Sequence, residues 1–454
     1  MSVSVITKSA TRAIVTDRFL RRLLGQCQIE SLPVTPPWLG QLRQQSLAFA
    51  SEAKLPSKRD ESWRFTDLSD LYQLELELAS AVAVQSQAYA PFLLPETAQA
   101  HLTLINGRYD DSLSDLSGLP DGVTVSNLSN FSESQLAEIG QYLGKLGDRR
   151  EIFTALNSAG FSDLAVVWVK RNVTVETPVH LLGLSVPSEI PTLSQPRVLI
   201  IAEPGASLDL LEYYSAVTQD CPDVKQNHPY LTNAVTEIWL GENASVNHSR
   251  IQRESRDGFH IGNTAIAQNR NSRYTCHEIS LGGNLYRHTL NVQQLGEQTE
   301  TTLNGLVMVG GEQLADTHSS VFLGHPYGTV NQLHKCILDD NGRTVFNGNI
   351  TVPKLAQMTN ASQLNRNLLL SNKSRVNTKP ELQITADNVK CAHGATVSQL
   401  ETDEFFYLRS RGLTEYHARH LLIDAFAAEI LEQLSLTSLQ KQLTQCVACH
   451  TLDS

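Results

Sequence analysis

From Phe161 onward, more than two hundred residues pass with almost no helical periodicity. Short alternating segments follow one another instead, at 164–170, 179–184, 198–202, 207–213, 234–240, 245–252, 264–268, 272–280, 286–293 and 300–308. Glycine, Asn or Asp punctuates many of the intervals, which is the signature of strands joined by tight turns. Further strands are expected at 328–339, 343–352 and 381–385. Three turns are alike: Glu203-Pro204-Gly205-Ala206-Ser207-Leu208, Gly241-Glu242-Asn243-Ala244-Ser245-Val246 and Gly296-Glu297-Gln298-Thr299-Glu300-Thr301. Each gives an acidic turn, a small residue and then a strand. A small residue turning inward is what a β-solenoid needs where each coil stacks on the last. A sandwich of antiparallel hairpins is the alternative.

Helical patterns lie on either side. Residues 17–92 read as helices separated by Pro33, Pro36 and Pro37, which cannot continue a helix. Within this stretch the run from Arg59 to Asp67 carries Trp63 and Phe65, expected to pack in a small core while its charges stay in water. Strands are expected at 101–105 and 123–125, helices at 133–146 and 151–158. After Thr402 helices return: Thr414 is an N-cap candidate, and Ala418, Leu422, Ala425, Phe426, Ile430 and Leu434 form an apolar stripe. The expected organisation is a mainly helical region over 1–160, a β core over 161–400 and a helical region over 401–454.

A formal charge of -11 argues against nucleic acid or an anionic membrane surface as the main partner, because both reward basic patches. The longest apolar runs are strand-sized and too short to cross a bilayer. Residues 1–15 are poor in acids, a weak sign of a transit peptide, yet they lack the apolar segment of a secretory signal. Seven cysteines without framework spacing read as reduced thiols. A cytoplasmic location is therefore the expectation, or the plastid stroma for a chain from a plastid-bearing source.

The best candidate for chemistry is Lys390-Cys391-Ala392-His393-Gly394. In a strand, residues two apart share a face, so a thiol and an imidazole converge there on one ion or cluster. Cys446-Val447-Ala448-Cys449-His450 matches the c-type haem pattern in form, but at the chain end it reads as an ordinary helix terminus. His248, His260, His277, His288, His318, His325 and His334 read as solvent-facing or hydrogen-bonded, with Asp316-Thr317-His318 better placed for an interface. Cys276 and His277 are adjacent and face opposite sides of a strand. No GxxxxGK[ST] loop, GxSxG elbow or HExxH helix is present, so any ATP hydrolysis belongs to another subunit.

The words around Cys391 resemble one family. They are Asn367-Leu368-Leu369-Leu370-Ser371, Thr378-Lys379-Pro380-Glu381-Leu382, Lys390-Cys391-Ala392-His393-Gly394-Ala395-Thr396 and Phe406-Tyr407-Leu408-Arg409-Ser410-Arg411-Gly412-Leu413, in that order. The chain resembles the SufB/SufD family of iron-sulfur cluster assembly scaffolds, on its SufD side, because SufB carries a Glu-His-Glu-Ala-Thr type of sequence where this chain has Cys391 and His393. The resemblance implies a right-handed parallel β-helix between helical ends and a scaffold that is not an enzyme. It implies pairing with SufB, binding of the ATPase SufC through the C-terminal helices, and a transient iron-sulfur cluster or iron at the SufB/SufD interface. His393 and Cys391 map onto the family's ligand positions. Arg409, Arg411, Gly412, Leu422 and Phe426 are the expected partner-binding set, the first three joining the β-helix to the docking helices. A homodimer of the isolated chain is a further option. The competing readings are a β-helix carbohydrate enzyme, which would need aromatic sugar platforms, and a redox protein built on Cys446 and Cys449.

Overall fold

The computed structural model describes residues 8–27, 35–148, 150–218 and 224–450. Cys221 and residues 1–7 of the N-terminal stretch lie outside them. In one sheet the strands Ala165–Val169, Arg197–Ala202, Tyr230–Leu240, Gly258–Gln268, Leu285–Gln294, Leu314–Phe322, Arg343–Val352 and Arg375–Ile384 lie side by side. In a second run Thr174–Ser185, Ser207–Ala216, Ser245–Arg253, Arg273–Ser280, Glu300–Val309, Thr329–Leu338, Asn360–Leu369 and Lys390–Ser398. Each strand pairs in parallel with the next of its own sheet. The chain thus alternates between sheets and climbs about eight coils, a β-solenoid. Parallel pairing rules out the hairpin sandwich, whose neighbours run antiparallel.

One corner repeats through the stack. Asn172, Gly205, Asn243, Asn271, Gln298, Tyr327 and Met358 all have positive φ, between 58° and 73°. Each donates its backbone N–H to a carbonyl of the following coil, from Asn172 to Pro204 (3.0 Å) through Asn271 to Glu297 (3.0 Å) to Met358 on Asn388 (2.7 Å). The residue after each corner turns inward, and Ala206, Ala244, Ser272, Thr299 and Thr359 are all buried. The three similar turns in the sequence are members of this ladder, in which left-handed backbone is easiest for Gly and Asn.

The two ends differ. The first coil is closed by Val123–Asn127, antiparallel to Ala165–Val169, and by His101–Ile105 with Arg108–Tyr109 on the other sheet. Beyond Arg375–Ile384 and Lys390–Ser398 no strand follows among the described residues. Helices Lys8–Cys27 and Ile152–Gly160 lie over the outer face of the first sheet, against Leu231, Phe259, Ile261 and Leu285. Helices Glu415–Leu431 and Thr437–His450 cover the second sheet, where Ile423, Ala427, Ile430 and Leu431 meet Ile251, Ile279, Leu306 and Ile337.

Several expectations need correction. Strands Leu314–Phe322 and Asn360–Leu369 were not anticipated. Thr414 caps its helix as expected, accepting the His417 N–H. Of the expected stripe Ala418, Ile430 and Leu434 are buried, but Ala425 is exposed, Leu422 and Phe426 are half-buried, and Ile423 and Ala427 take their place in the packed face. Trp63 is buried against Phe153, but Phe65 is half exposed, with Arg64 over its ring. Trp63 belongs to a clamp on the solenoid, with the Arg287 guanidinium 3.8 Å above its ring. Arg287 also donates to Ser62 O (2.9 Å) and pairs with Asp316, which accepts the Thr66 hydroxyl.

The solenoid interior is apolar along one side and ionisable along the other. Val246, Leu208, Ile266 and Val330 lie on the apolar side. On the other, Glu212 accepts from Tyr214 (2.5 Å), Thr236 (2.6 Å) and His248 (2.9 Å). Arg250 donates to Tyr286 Oη and His260 Nε2, both at 2.8 Å, and the Tyr286 hydroxyl in turn donates to Glu278 (2.6 Å). Bonding of this kind offsets the cost of burying polar groups, since each lost partner costs about 1–3 kcal/mol. Burial drives the His180 imidazole down to about 3, helped by His101, and His334 down to about 4, opposed by Glu278. Both are therefore neutral when folded and take up a proton on unfolding below about pH 6.5. Stability is complete above that pH and falls as pH drops from about 6.5 to about 4 for His334 and to about 3 for His180, by on the order of 3–5 kcal/mol per group. Urea unfolding followed against pH should show this loss, and His334→Gln should reduce it; an unchanged slope would contradict the buried neutral state.

Candidate functional site

Strand Lys390–Ser398 is the last of the second sheet and pairs only with Asn360–Leu369. Its side chains alternate, and register places Cys391 over Ala361 and His393 over Gln363, both buried. Those positions belong to the inward rows of the solenoid. Cys391 therefore packs half-buried against the apolar side of the interior. His393, on the same face, is exposed because no further coil covers it. The structure thus brings the two together in one row at the open end, as their spacing requires.

The backbone of this strand is equally unsatisfied. Lys390 donates its N–H to Thr359 O (2.9 Å), and the Thr396 carbonyl accepts from Asn367 Nδ2 (2.9 Å), so even-numbered residues face the preceding coil. By alternation, the N–H and C=O groups of Cys391, His393, Ala395 and Val397 face outward beyond the end. In the other sheet Arg375 and Thr385 donate back to Gly342 and Val352. Residue 380 accordingly faces outward, and it is a proline without an N–H. Strand addition is thus interrupted on the first sheet and open on the second.

Burial raises the Cys391 thiol above its ordinary value, only partly offset by a hydrogen bond with the Ala361 backbone. Burial thus favours the neutral thiol at Cys391, which a metal would have to deprotonate. Among the described residues no group of three His, Cys, Asp or Glu side chains is placed to hold a metal ion. Iron bound at Cys391 and His393 needs further ligands from elsewhere.

The other sequence candidates are spread more widely. His248, His260, His288 and His334 are inside the solenoid rather than in solvent. Cys276 faces inward and His277 outward, as adjacency requires, and Asp316 and His318 belong to the Arg287 clamp. Cys446 is buried on the last helix and Cys449 exposed. Arg409, Arg411 and Gly412 are exposed at the end of helix Thr402–Ser410, where Gly412 adopts φ +93° and lets the chain turn into the next helix. Leu422 lies on that next helix, and Phe426 is held within the chain under Lys335 (4.1 Å) and Arg366 (5.8 Å). Phe406 and Tyr407, from the last of the quoted motifs, are exposed apolar side chains, and so are Tyr416 and Leu421, which no motif signalled.

A family model described as SUF system FeS cluster assembly, SufBD core domain, matches residues 185–426, and one for the SufBD protein N-terminal region matches residues 30–181. The chain is 50% identical over 410 residues to an iron-sulfur cluster assembly SufBD family protein of Synechocystis, covering 90% of each. It is 35% identical over 441 residues to the chloroplastic protein ABCI7 of Arabidopsis thaliana, covering 95% of this chain and 90% of that one. It is 30% identical over 406 residues to the iron-sulfur cluster assembly protein SufD of Escherichia coli, covering 88% and 90%.

Cys391 should react slowly with a neutral alkylating reagent at pH 7, roughly tenfold or more behind the exposed Cys449, and catch up as pH rises. Mass spectrometry of timed samples reads the ratio; equal rates would show a freely presented thiolate.

Proposed function

The chain belongs to the SufB/SufD family of iron-sulfur cluster assembly proteins, and from that premise we propose that it is a non-catalytic scaffold whose open solenoid end pairs with SufB. The observation that carries the reading is the coincidence at one strand of an unpaired backbone edge and the Cys391/His393 pair. A partner strand laid against residues 391–397 satisfies the edge and brings the additional ligands that iron needs. Cluster or iron held there is cargo, released once built. Cys391 supplies a thiolate after losing its proton, and His393 supplies a neutral nitrogen.

The ATPase SufC is assigned to the exposed face of the C-terminal helices, where Tyr416 and Leu421 stand out from Glu415–Leu431. Truncation there would strip Ile423, Ala427 and Ile430 from the second sheet, so a surface substitution is the cleaner probe. No helix among the described residues is long and apolar enough to cross a membrane. The cytoplasm, or the plastid stroma, is the proposed location.

Co-purification with SufB and SufC tests both surfaces. Ala395→Pro removes an outward N–H while leaving pairing to the preceding coil intact, and should weaken SufB binding by at least about tenfold. Leu421→Glu should release SufC and keep SufB. His393→Ala should leave the complex whole and lower its iron and acid-labile sulfide. If both partners bind all three variants as they bind wild type and iron is unchanged, the assignment of surfaces is wrong.

A further inference from the structure

The inward row that ends at His393 runs back through Gln363 to Gln332. Gln363 is only 2% exposed. Its Nε2 donates to Gln332 Oε1 (2.8 Å), and Gln332 Nε2 donates to Ser319 Oγ (2.8 Å). This chain of amides commits the Gln363 nitrogen to the interior. Its oxygen is left over: Oε1 is buried and has no hydrogen-bond partner among the described residues. Gly348 holds the amide where it is, since a Cβ at that position would come within 2.1 Å of Gln363 Nε2. A buried acceptor left unpaired is costly, so a donor near it is expected. The next residue of the row is His393, and an imidazole in its neutral form carries one N–H and one free lone pair.

We propose that Gln363 is a positioning residue: its Oε1 accepts the ring N–H of His393 and fixes the tautomer, leaving the other nitrogen's lone pair for iron at the open end. The inference rests on the reading of His393 as a ligand. Histidines that bind metals commonly donate the second ring N–H to a carbonyl or carboxylate, which sets ring orientation and raises basicity. Here the acceptor is an amide oxygen anchored two coils deep, so the imidazole is oriented from inside the solenoid. Neither Gln363 nor Gln332 would touch iron.

The test is nitrogen NMR of the full chain with labelled histidine and no metal, His393 being assigned by the signal lost in His393→Gln. Wild type should show a single His393 tautomer. Gln363→Leu should show a mixture and bind Zn2+, the probe metal, about 10–100-fold more weakly. Gln363→Glu keeps an acceptor oxygen and should retain the wild-type tautomer. Where Gln363→Leu fails to fold, Gly348→Ala displaces the amide without removing it and should give the same mixture. An unchanged tautomer in whichever of these two folds overturns the proposal. Cluster assembly that survives His393→Ala would instead sink the ligand assignment and leave the hydrogen bond standing, so the two failures are distinguishable.

Discussion

Hydrogen bonding between successive coils is the constraint on which this molecule depends. Each coil gives its outward N–H and C=O groups to the next, strand on parallel strand, and the left-handed corner repeats the transaction from Asn172 to Met358. Such a stack cannot satisfy its own last member. At the first coil the chain solves the problem with strands taken from the preceding region, Val123–Asn127 antiparallel on one sheet and His101–Ile105, itself backed by antiparallel Arg108–Tyr109, parallel on the other. At the last it leaves Lys390–Ser398 with one paired side. A bare edge is a hazard in a solitary protein and a docking element in a subunit, and the family to which this chain belongs assembles iron-sulfur clusters.

The interior changes character along the same axis. In the middle coils the ionisable side is closed on itself, with Glu212, Arg250 and Glu278 each bonded to neighbours. Burial raises the Glu212 carboxyl, but the hydrogen bond and charge of His248 and the Arg250 charge outweigh it and hold the group below its ordinary range. Toward the open end the row that leads to His393 is built of amides instead, Gln332 and Gln363, with Asn365 in the neighbouring row, all buried. Amides orient neighbours without bringing a charge that would compete for a cation. The reactive pair sits where that row meets solvent.

Much of this was legible in the residues. The alternating segments from 164 to 308 all coincide with strands, because hydrophobic alternation and turn residues agree there. Strands Leu314–Phe322 and Asn360–Leu369 were hidden for a physical reason. Their inward residues include Thr317, Ser319, Gln363, Asn365 and Asn367, so the apolar period is absent where the interior is polar. The helix Glu415–Leu431 was found and its cap placed, and Ala418 and Ile430 of its expected stripe are buried, but Leu422, Ala425 and Phe426 were exchanged for Ile423 and Ala427 because Leu, Ile, Ala and Phe surround most of it. Pairing of Cys391 with His393 followed from spacing alone. That their strand is terminal depends on which segment ends the stack, and no local pattern states that.

The proposed pairing sets SufB against the outer edge of residues 390–398. Hydrogen exchange at the amides of Cys391, His393, Ala395 and Val397, measured for the chain alone and again in complex with SufB, tests it most directly. These amides should exchange quickly in the free chain and become protected in the complex, while those of the even-numbered residues between them are slow in both. Fast exchange at all four in a fully formed complex would contradict the claim.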